Sequence, residues 1–344
     1  YMADYLIKEQ RGQANEYRRS TLQRYTDFVT PENDFPLSGF ISRRDAASEA
    51  VGYGKCSMIW NMLRGEVGDR HFVEGFQKFY SENRFRAASF GDIRSAFEEI
   101  TGRDLGPFFS RWIERTGAPE LRISGVKAVK ADDGYRLGFT LEQVQDEDVF
   151  ELDVPVAVSF AETVEMSRVR MTGKTQSFEM TFPELPLLVR VDPQFDLFRR
   201  LHHNETPPAL SRLFGSEKIL ILLPSKAEGP EMERYRKLAE IWSKDAARDL
   251  TIAMDSDFTE LPAGTAVWVF GEGNIFRASI EKGLKDYDVS TGGKDVRFGN
   301  TALSLGDNCV IAAVRHPADP GSVIAWLTMD NAEAAGGLSR KLPH

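Results

Sequence analysis

The segment GYGKCSMIWNMLR, residues 52–64, does most to decide the fold. Its apolar residues at positions 58, 59, 62 and 63 recur three and four residues apart, which is the spacing of one face of an α-helix. The pattern extends back to about Ala46 and predicts a helix over residues 46–64. Helical spacing also prevails on both sides, from Tyr1 to about Gly117, so this part of the chain is predicted to be helical.

Further helices are predicted within that first part. Apolar residues at helical spacing predict one helix over residues 1–29, which ends in a proline-containing irregular stretch over residues 30–42. Asp69 is predicted to be the N-cap of another helix. Ser89, followed three residues later by Asp92, has the pattern of a capping box that opens a further one.

From Glu120 to about Arg200 the hydrophobic period becomes two. Short alternating or apolar segments, separated by glycine and proline, occur at residues 135–141, 153–158, 164–171, 177–182 and 187–191. Five or more short strands with turns between them predict a small antiparallel β-sandwich.

Beyond a polar linker with two prolines, residues 204–209, strands and helices alternate. Continuous apolar strands are predicted at residues 218–223, 250–254, 266–271, 309–314 and 323–328, and helices at 232–244, 274–284 and 331–341. Because such strands are apolar on both faces, they predict a sheet covered on both sides by helices. The predicted fold is therefore multi-domain α+β, with a helical part at 1–117, a β-sandwich at 118–204 and an α/β domain at 205–344.

The composition narrows the function classes. A hydrophobic content of 42% and a charged content of 28% are typical of a globular protein, and the net charge of −9 argues against a nucleic-acid partner, because phosphate binding needs a basic face. No run of about 18 apolar residues occurs, so no membrane span is predicted. The first residue is Tyr1 rather than methionine, which predicts a fragment; cytoplasm and cell envelope both stay open.

The histidines and cysteines do not form a metal-binding pattern. A zincin helix needs two histidines four residues apart with a glutamate between them, and none of the five histidines has that spacing. The adjacent pair His202 and His203 would point apart in a strand or a helix, so a solvated loop is the preferred interpretation. Cys56 and Cys309 are too few for a cysteine-based zinc site. No metal site is predicted in this chain.

A glycine-containing turn, residues 271–274, follows one predicted strand and opens a helix, where a dinucleotide fold would bind phosphate. Phe276 stands where the third glycine of that fingerprint belongs. A simple strand-to-helix turn is therefore the preferred interpretation, and a nucleotide-binding unit is the alternative. No Gly-x-Ser-x-Gly elbow of a serine hydrolase occurs.

Five segments of the helical part resemble, in order and spacing, the aminopeptidase N family of gluzincin zinc metallopeptidases, which includes leukotriene hydrolase. Residues 1–6 resemble the stretch just after the third zinc ligand, and residues 52–56 resemble the Tyr-x-Lys-Gly signature, with Cys56 in place of the glycine. Residues 62–64 resemble the Met-Leu-Arg end of the same helix, and 68–72 resemble a Gly-Asp-x-x-Phe turn. Residues 104–119 resemble the closing helix and the exit to the β domain.

The resemblance implies that residues 1–117 are the helical second half of a gluzincin catalytic domain. The His-Glu-x-x-His helix, the third ligand and the zinc would then belong to a full-length parent, before Tyr1. Tyr53 matches the tyrosine whose hydroxyl donates to the oxyanion of the tetrahedral intermediate. Lys55 is expected to support the site by pairing with a carboxylate near it. Cys56 is expected to tighten helix packing without touching the hydroxyl.

The function that the resemblance implies is a zinc-dependent aminopeptidase that removes N-terminal residues from peptide substrates. This chain would be a fragment of it that binds no zinc and is inactive alone. The alternative is a non-catalytic aminopeptidase-like scaffold or peptide-binding module. The retained Tyr53 and Lys55 argue against that alternative, because an inactive site is free to lose its oxyanion donor. The residues that precede Tyr1 would discriminate between the two.

Overall fold

A computed structural model describes residues 4–132, 134–244, 249–292, 295–306, 308–329 and 337–338 of the 344-residue chain. The chain divides into two compact units, Tyr1–Glu205 and Thr206–His344. Both contain helices and strands, so the predicted mixture of α and β structure is correct. The finer division into three domains at residues 117 and 204 stays a prediction.

The first unit begins with helices. They are α1 Tyr5–Gln10, α2 Ala14–Phe28, α3 Ala46–Glu49, a π-helical turn Ala50–Lys55, α4 Cys56–Val67, α5 Asp69–Asn83, α6 Phe90–Thr101, α7 Gly106–Phe109 and a second π-helical turn Ser110–Glu114. The capping box of Ser89 and Asp92 is confirmed, since each side chain accepts a hydrogen bond from the other residue's backbone N–H.

Two helix predictions need correction. The helix expected over residues 1–29 is interrupted, because Gly12 has a φ of +71° and α1 ends before it. Asp69 lies in the first turn of α5, and Gly68 is its N-cap. The Asp69 carboxylate instead accepts a hydrogen bond from Nε of Arg64 at 2.6 Å.

Six strands follow in the described part of the first unit: β1 Leu121–Ala131, β2 Gly134–Gln143, β3 Leu152–Ser159, β4 Val164–Met171, β5 Thr175–Phe182 and β6 Leu188–Val191. They form two antiparallel three-stranded sheets, in the orders β1-β2-β5 and β4-β3-β6. Alternate residues, such as Phe139 in β2 and Val156 in β3, are buried in a core that also contains Ile59 and Trp112 of the helical part. Helices and sheets of this unit therefore share one hydrophobic core.

The second unit is an α/β structure. Its elements are α8 Leu210–Gly215, β7 Lys218–Leu223, α9 Gly229–Lys244, β8 Asp249–Met254, β9 Ala266–Phe270, α10 Arg277–Leu284, β10 Val289–Gly292, β11 Asp295–Phe298, β12 Thr301–Ser304, β13 Val310–Arg315 and β14 Val323–Thr328. Strands β7, β8, β9 and β14 are parallel and β13 is antiparallel, in the order β13-β14-β9-β7-β8. Separate apolar clusters cover the two faces, as the continuous apolar strands predict.

Three features of the second unit differ from expectation or fall outside the described ranges. The short antiparallel sheet β10-β11-β12 has no counterpart among the predicted strands. Helix α10 begins at Arg277, three residues later than expected. The helix predicted at 331–341 lies outside the described residues except for positions 337–338. Across the ranges that the structure describes, no helix has the length and apolar character needed to cross a bilayer.

Candidate functional site

Tyr53 lies in the π-helical turn that joins α3 to α4. A π-helical turn widens the helix by one residue, and such turns are frequent at functional sites. The turn is buried at Ala50, Val51, Gly52 and Lys55, whereas the Tyr53 side chain is 59% exposed. The core thus anchors the turn from one side, and a single phenol projects from the other.

Lys55 anchors the buried side of the same turn. Only 1% of the residue is exposed, and its Nζ donates a hydrogen bond of 2.8 Å to the backbone carbonyl of Arg115. Nζ also lies 5.4 Å from the centre of the Phe198 ring. Burial lowers the pKa of the Lys55 ammonium group to about 8, an effect that the carboxylate of Asp34 opposes.

Asp34 connects the loop before α3 with two distant segments. Its Oδ2 accepts hydrogen bonds from the hydroxyl of Tyr25 at 2.9 Å and from the backbone N–H of Gly117 at 2.6 Å. Its Oδ1 accepts one from the N–H of Phe35 at 2.9 Å. Burial, and then the nearby Asp34 charge, raise the pKa of the Tyr25 hydroxyl.

The hydrogen bond of Lys55 goes to the backbone carbonyl of Arg115, and the Asp34 carboxylate enters only as a charge that opposes the effect of burial on the Lys55 pKa. The expected pairing of Lys55 with a carboxylate stays a prediction. Sequence reasoning missed Asp34. It stands in an irregular stretch, and nothing in the local pattern separates it from a solvated loop carboxylate.

Cys56 follows Lys55 at the start of α4 and packs against the core of the first unit. Burial raises the pKa of its thiol to about 11, so the thiol is protonated at neutral pH. Cys56 and Cys309 do not form a disulfide with each other. A protonated, packed thiol is neither a nucleophile nor a metal ligand at neutral pH.

His71, His202 and His203 lie far from Tyr53 in the sequence and make local contacts. Nδ1 of His71 lies 3.0 Å from the carbonyl of Val67, one helical turn earlier. The rings of His202 and His203 are 3.9 Å apart, and His203 begins a short 3-10 turn. Among the residues that the structure describes, no group of three His, Cys, Asp or Glu side chains could hold a metal ion.

A polar cleft of about 780 Å³ opens elsewhere in the first unit, and Tyr53 is not among its lining residues. Five of its six arginines pair with carboxylates of the same cleft, for example Arg64 with Glu9 at 2.7 Å and Arg103 with Glu66 at 2.7 Å. Most of the positive charge of the cleft is therefore paired within it, and Tyr53 remains the candidate for chemistry.

Two buried side chains, Asn274 and Asp255, form hydrogen bonds with the backbone at and around the glycine-containing turn after β9. Asn274 is buried, and its Nδ2 donates to the carbonyls of Leu222 and Phe270 at 2.9 and 3.2 Å. The buried carboxylate of Asp255 accepts the N–H groups of Ser225 and Ile275, each at 2.8 Å. Backbone N–H groups that could otherwise donate to a bound phosphate thus donate to the Asp255 carboxylate. This arrangement favours a simple strand-to-helix turn over a nucleotide-binding site.

Comparison with known proteins gives several partial matches. No family model matches the chain. The chain is 20% identical over 274 residues to an alanine/arginine aminopeptidase of Saccharomyces cerevisiae, covering 76% of this chain and 31% of that protein. It is 33% identical over 134 residues to an aminopeptidase N of Haemophilus influenzae, covering 38% of this chain and 14% of that protein. A solved structure of Legionella pneumophila aminopeptidase A in complex with aspartic acid is 16% identical, with a TM-score of 0.38, covering 67% of this chain and 27% of that one.

Both of these relatives are aminopeptidases, and this chain matches only part of each. The chain spans 31% of the length of the Saccharomyces relative and 14% of the Haemophilus one. The resemblance inferred from the motifs in residues 1–119 is confirmed by these relatives: the chain resembles a C-terminal region of aminopeptidase N and related aminopeptidases.

Proposed function

We propose that the chain is a C-terminal region of an aminopeptidase that hydrolyses N-terminal residues from peptides, and that Tyr53 is its oxyanion donor. The observation that carries the proposal is the exposure of this one phenol, 59%, on a turn whose other side is anchored in the core. The Tyr-x-Lys pattern and the aminopeptidase relatives support the same assignment.

The chemistry suits a tyrosine hydroxyl. When water attacks a peptide carbonyl, negative charge develops on the former carbonyl oxygen. A fixed O–H donor stabilises that charge more in the transition state than in the ground state, and it therefore raises kcat. Loss of one such donor typically costs about 3–4 kcal/mol, or roughly 10²–10³ in kcat.

Zinc is the cofactor that the aminopeptidase N family implies. The described residues do not fit it, because they contain no set of three candidate ligands. In this proposal the zinc ligands and the general base come from parts of the whole protein outside this chain. We expect the chain alone to bind no zinc tightly and to hydrolyse no peptide.

Hydrolysis of an alanyl chromogenic substrate tests the proposal in the whole protein that carries this chain. We expect chelator-sensitive hydrolysis, and a fall in kcat of roughly 10²–10³ in the Tyr53→Phe variant with little change in KM. Tyr80→Phe is the matched control, because Tyr80 is 65% exposed on α5. A whole protein without hydrolytic activity would instead indicate a scaffold or peptide-binding module. An active enzyme whose kcat is unchanged by Tyr53→Phe would remove Tyr53 from the site.

A further inference from the structure

We propose that Phe40 is a positioning residue that sets the direction of the Tyr53 side chain; this inference rests on the proposed function of Tyr53. Phe40 lies after a short 3-10 turn, Leu37–Gly39, in the irregular segment between α2 and α3. It is partly buried and packs against the core of the first unit. Two contacts bring its ring to the turn that carries Tyr53.

The first contact is with Gly52. A Cβ atom built on Gly52 would lie 2.2 Å from Cε2, 2.3 Å from Cδ2 and 2.4 Å from Cζ of Phe40. The ring therefore occupies the space that any side chain at position 52 would need. Gly52 is not among the residues with positive φ, so the close approach of the ring is what requires glycine here.

The second contact is with Tyr53 itself. The rings of Phe40 and Tyr53 have their centroids 5.5 Å apart and an interplanar angle of 76°, an edge-to-face arrangement. Phe40 is held in turn by Phe35, whose ring is stacked with it at 6.4 Å and 10°. The Phe40 ring thus contacts both the Phe35 ring and the exposed phenol of Tyr53.

The same loop is also linked to the other end of the turn, through a third segment. Asp34 in this loop accepts a hydrogen bond from the N–H of Gly117, and Lys55 donates one to the carbonyl of Arg115, two residues earlier in the same segment. The loop and the turn are therefore both hydrogen-bonded to residues 115–117, and the Phe40 ring contacts the turn at Gly52 and Tyr53.

Positioning has a kinetic consequence. A side chain that is more than half exposed has few contacts to restrict its rotation, and a donor acts only when it points at the developing oxyanion. A displacement of about 1 Å in a catalytic group can cost on the order of 10² in rate. We therefore expect loss of the Phe40 ring to lower kcat about tenfold, within that bound, and to leave KM nearly unchanged.

The structural half of the proposal can be tested on the chain itself by NMR of ¹³C-labelled tyrosine rings, with Tyr53 assigned through Tyr53→Phe. The Phe40 ring current displaces the Tyr53 ring signals. In Phe40→Leu, and in Phe40→Met as a second apolar variant, these signals should move toward those of free tyrosine. Phe85→Leu is the control, because Phe85 is 92% exposed. Unchanged Tyr53 signals in either folded Phe40 variant would overturn the inference.

A double substitution tests whether Gly52 acts through Phe40. Gly52→Ala should displace the ring and move the Tyr53 signals as Phe40→Leu does. In a Phe40→Ala background the added methyl group meets no ring, so Gly52→Ala should cause no further shift. Gly65→Ala in α4 is the matched control, because a Cβ there meets nothing within 4 Å. Additive shifts would contradict a role for Gly52 in admitting the ring.

The kinetic half is measured in the whole enzyme. Phe40→Leu should lower kcat about tenfold, and it should have no further effect when Tyr53 is already phenylalanine. If Tyr53→Phe lowers kcat and Phe40→Leu does not, the positioning role is wrong and the proposed function stands. If Tyr53→Phe leaves kcat unchanged, the proposed function fails, whatever the NMR result shows about the ring contact.

Discussion

Lys55 is an ionisable residue that is buried in the first unit, with only 1% of its surface exposed. Its folded pKa of about 8 lies below the ordinary value of 10.5, because burial disfavours the ammonium form. Between these two pH values the unfolded chain holds the proton while the folded chain releases it. Stability therefore rises with pH in this window, by up to about 1.4 kcal/mol per pH unit for one such group.

We predict that the free energy of unfolding depends on pH differently in the native chain and in a Lys55→Met variant. Lys55→Met should abolish the contribution, so the free energy of unfolding of the native chain should rise relative to that of the variant from pH 8 to pH 10.5. Urea unfolding of the native chain and of the variant, at several pH values between 8 and 10.5, measures the two free energies of unfolding. Parallel curves would show that Lys55 does not titrate in this range.

His316 is a buried titratable residue in the second unit, with 1% exposure. Its Nδ1 accepts the backbone N–H groups of Ala318 and Asp319 at 3.2 and 3.1 Å, which requires the neutral ring. Burial lowers the pKa of His316 below 6.5, and the charge of Asp319 opposes this effect. Because the folded pKa is depressed, the stability contribution is complete above pH 6.5 and declines as the pH falls toward the folded pKa.

Thermal unfolding tests the His316 prediction. Between pH 7.5 and pH 5.5 the native chain should lose more stability in the second unit than His316→Asn, which cannot titrate. His71→Asn is the control, because His71 is only partly buried in α5. Equal losses in the native chain and His316→Asn would contradict the prediction.

Tyr53 and Lys55 are candidates that the sequence itself offers, since they belong to one short signature. Asp34 and Phe40 are not. The hydrogen bond from the Gly117 N–H to the Asp34 carboxylate joins residues that are 83 positions apart in the sequence. The contact between Phe40 and Gly52 depends on the path of an irregular loop. Periodicity reports which face of a helix or strand is buried, and it carries no information about loop contacts of this kind.

Helix α6 opens with a feature that its sequence predicts correctly. The Ser89 side chain accepts from the Asp92 N–H at 3.4 Å, and the Asp92 carboxylate accepts from the Ser89 N–H at 2.7 Å. Ser89→Ala should therefore destabilise the first unit by about 1 kcal/mol in urea unfolding. Ser81→Ala, within α5, serves as the control, because it removes a serine that caps no helix. Equal effects would mean that the capping box contributes little.

Helices α1 and α2 show where periodicity misleads. Apolar spacing continues across Gly12, so one helix is predicted, yet the φ of +71° at this residue ends α1. A left-handed conformation costs an L-residue roughly 1–2 kcal/mol, and Gly12→Ala should destabilise by about that amount. Gly65→Ala, inside α4 with open space around it, should stabilise by up to about 1 kcal/mol. Stabilisation by Gly12→Ala would contradict the break.

The two units differ in how well the sequence predicts them. In the second unit, continuous apolar strands specify a sheet covered on both faces, and the two clusters are found there. The short polar strands β10 to β12 escape prediction, because little apolar alternation marks them. In the first unit the change from helical to alternating period is correct, but one core takes residues from both regions. Packing between helices and sheets decides that outcome, and no local pattern encodes it.

The effect of zinc on the thermal stability of this chain tests whether the chain contains zinc ligands. A metal that binds only the folded state raises Tm in proportion to the logarithm of its concentration over Kd. Because the described residues provide no set of three ligands, we expect zinc to leave the Tm of this chain unchanged and a chelator to have no effect. Under the proposed function, the whole protein that carries this chain should gain stability from zinc and lose it to the chelator. A zinc-dependent rise in the Tm of the chain alone would place ligands within it, and our account of the missing metal site would then be wrong.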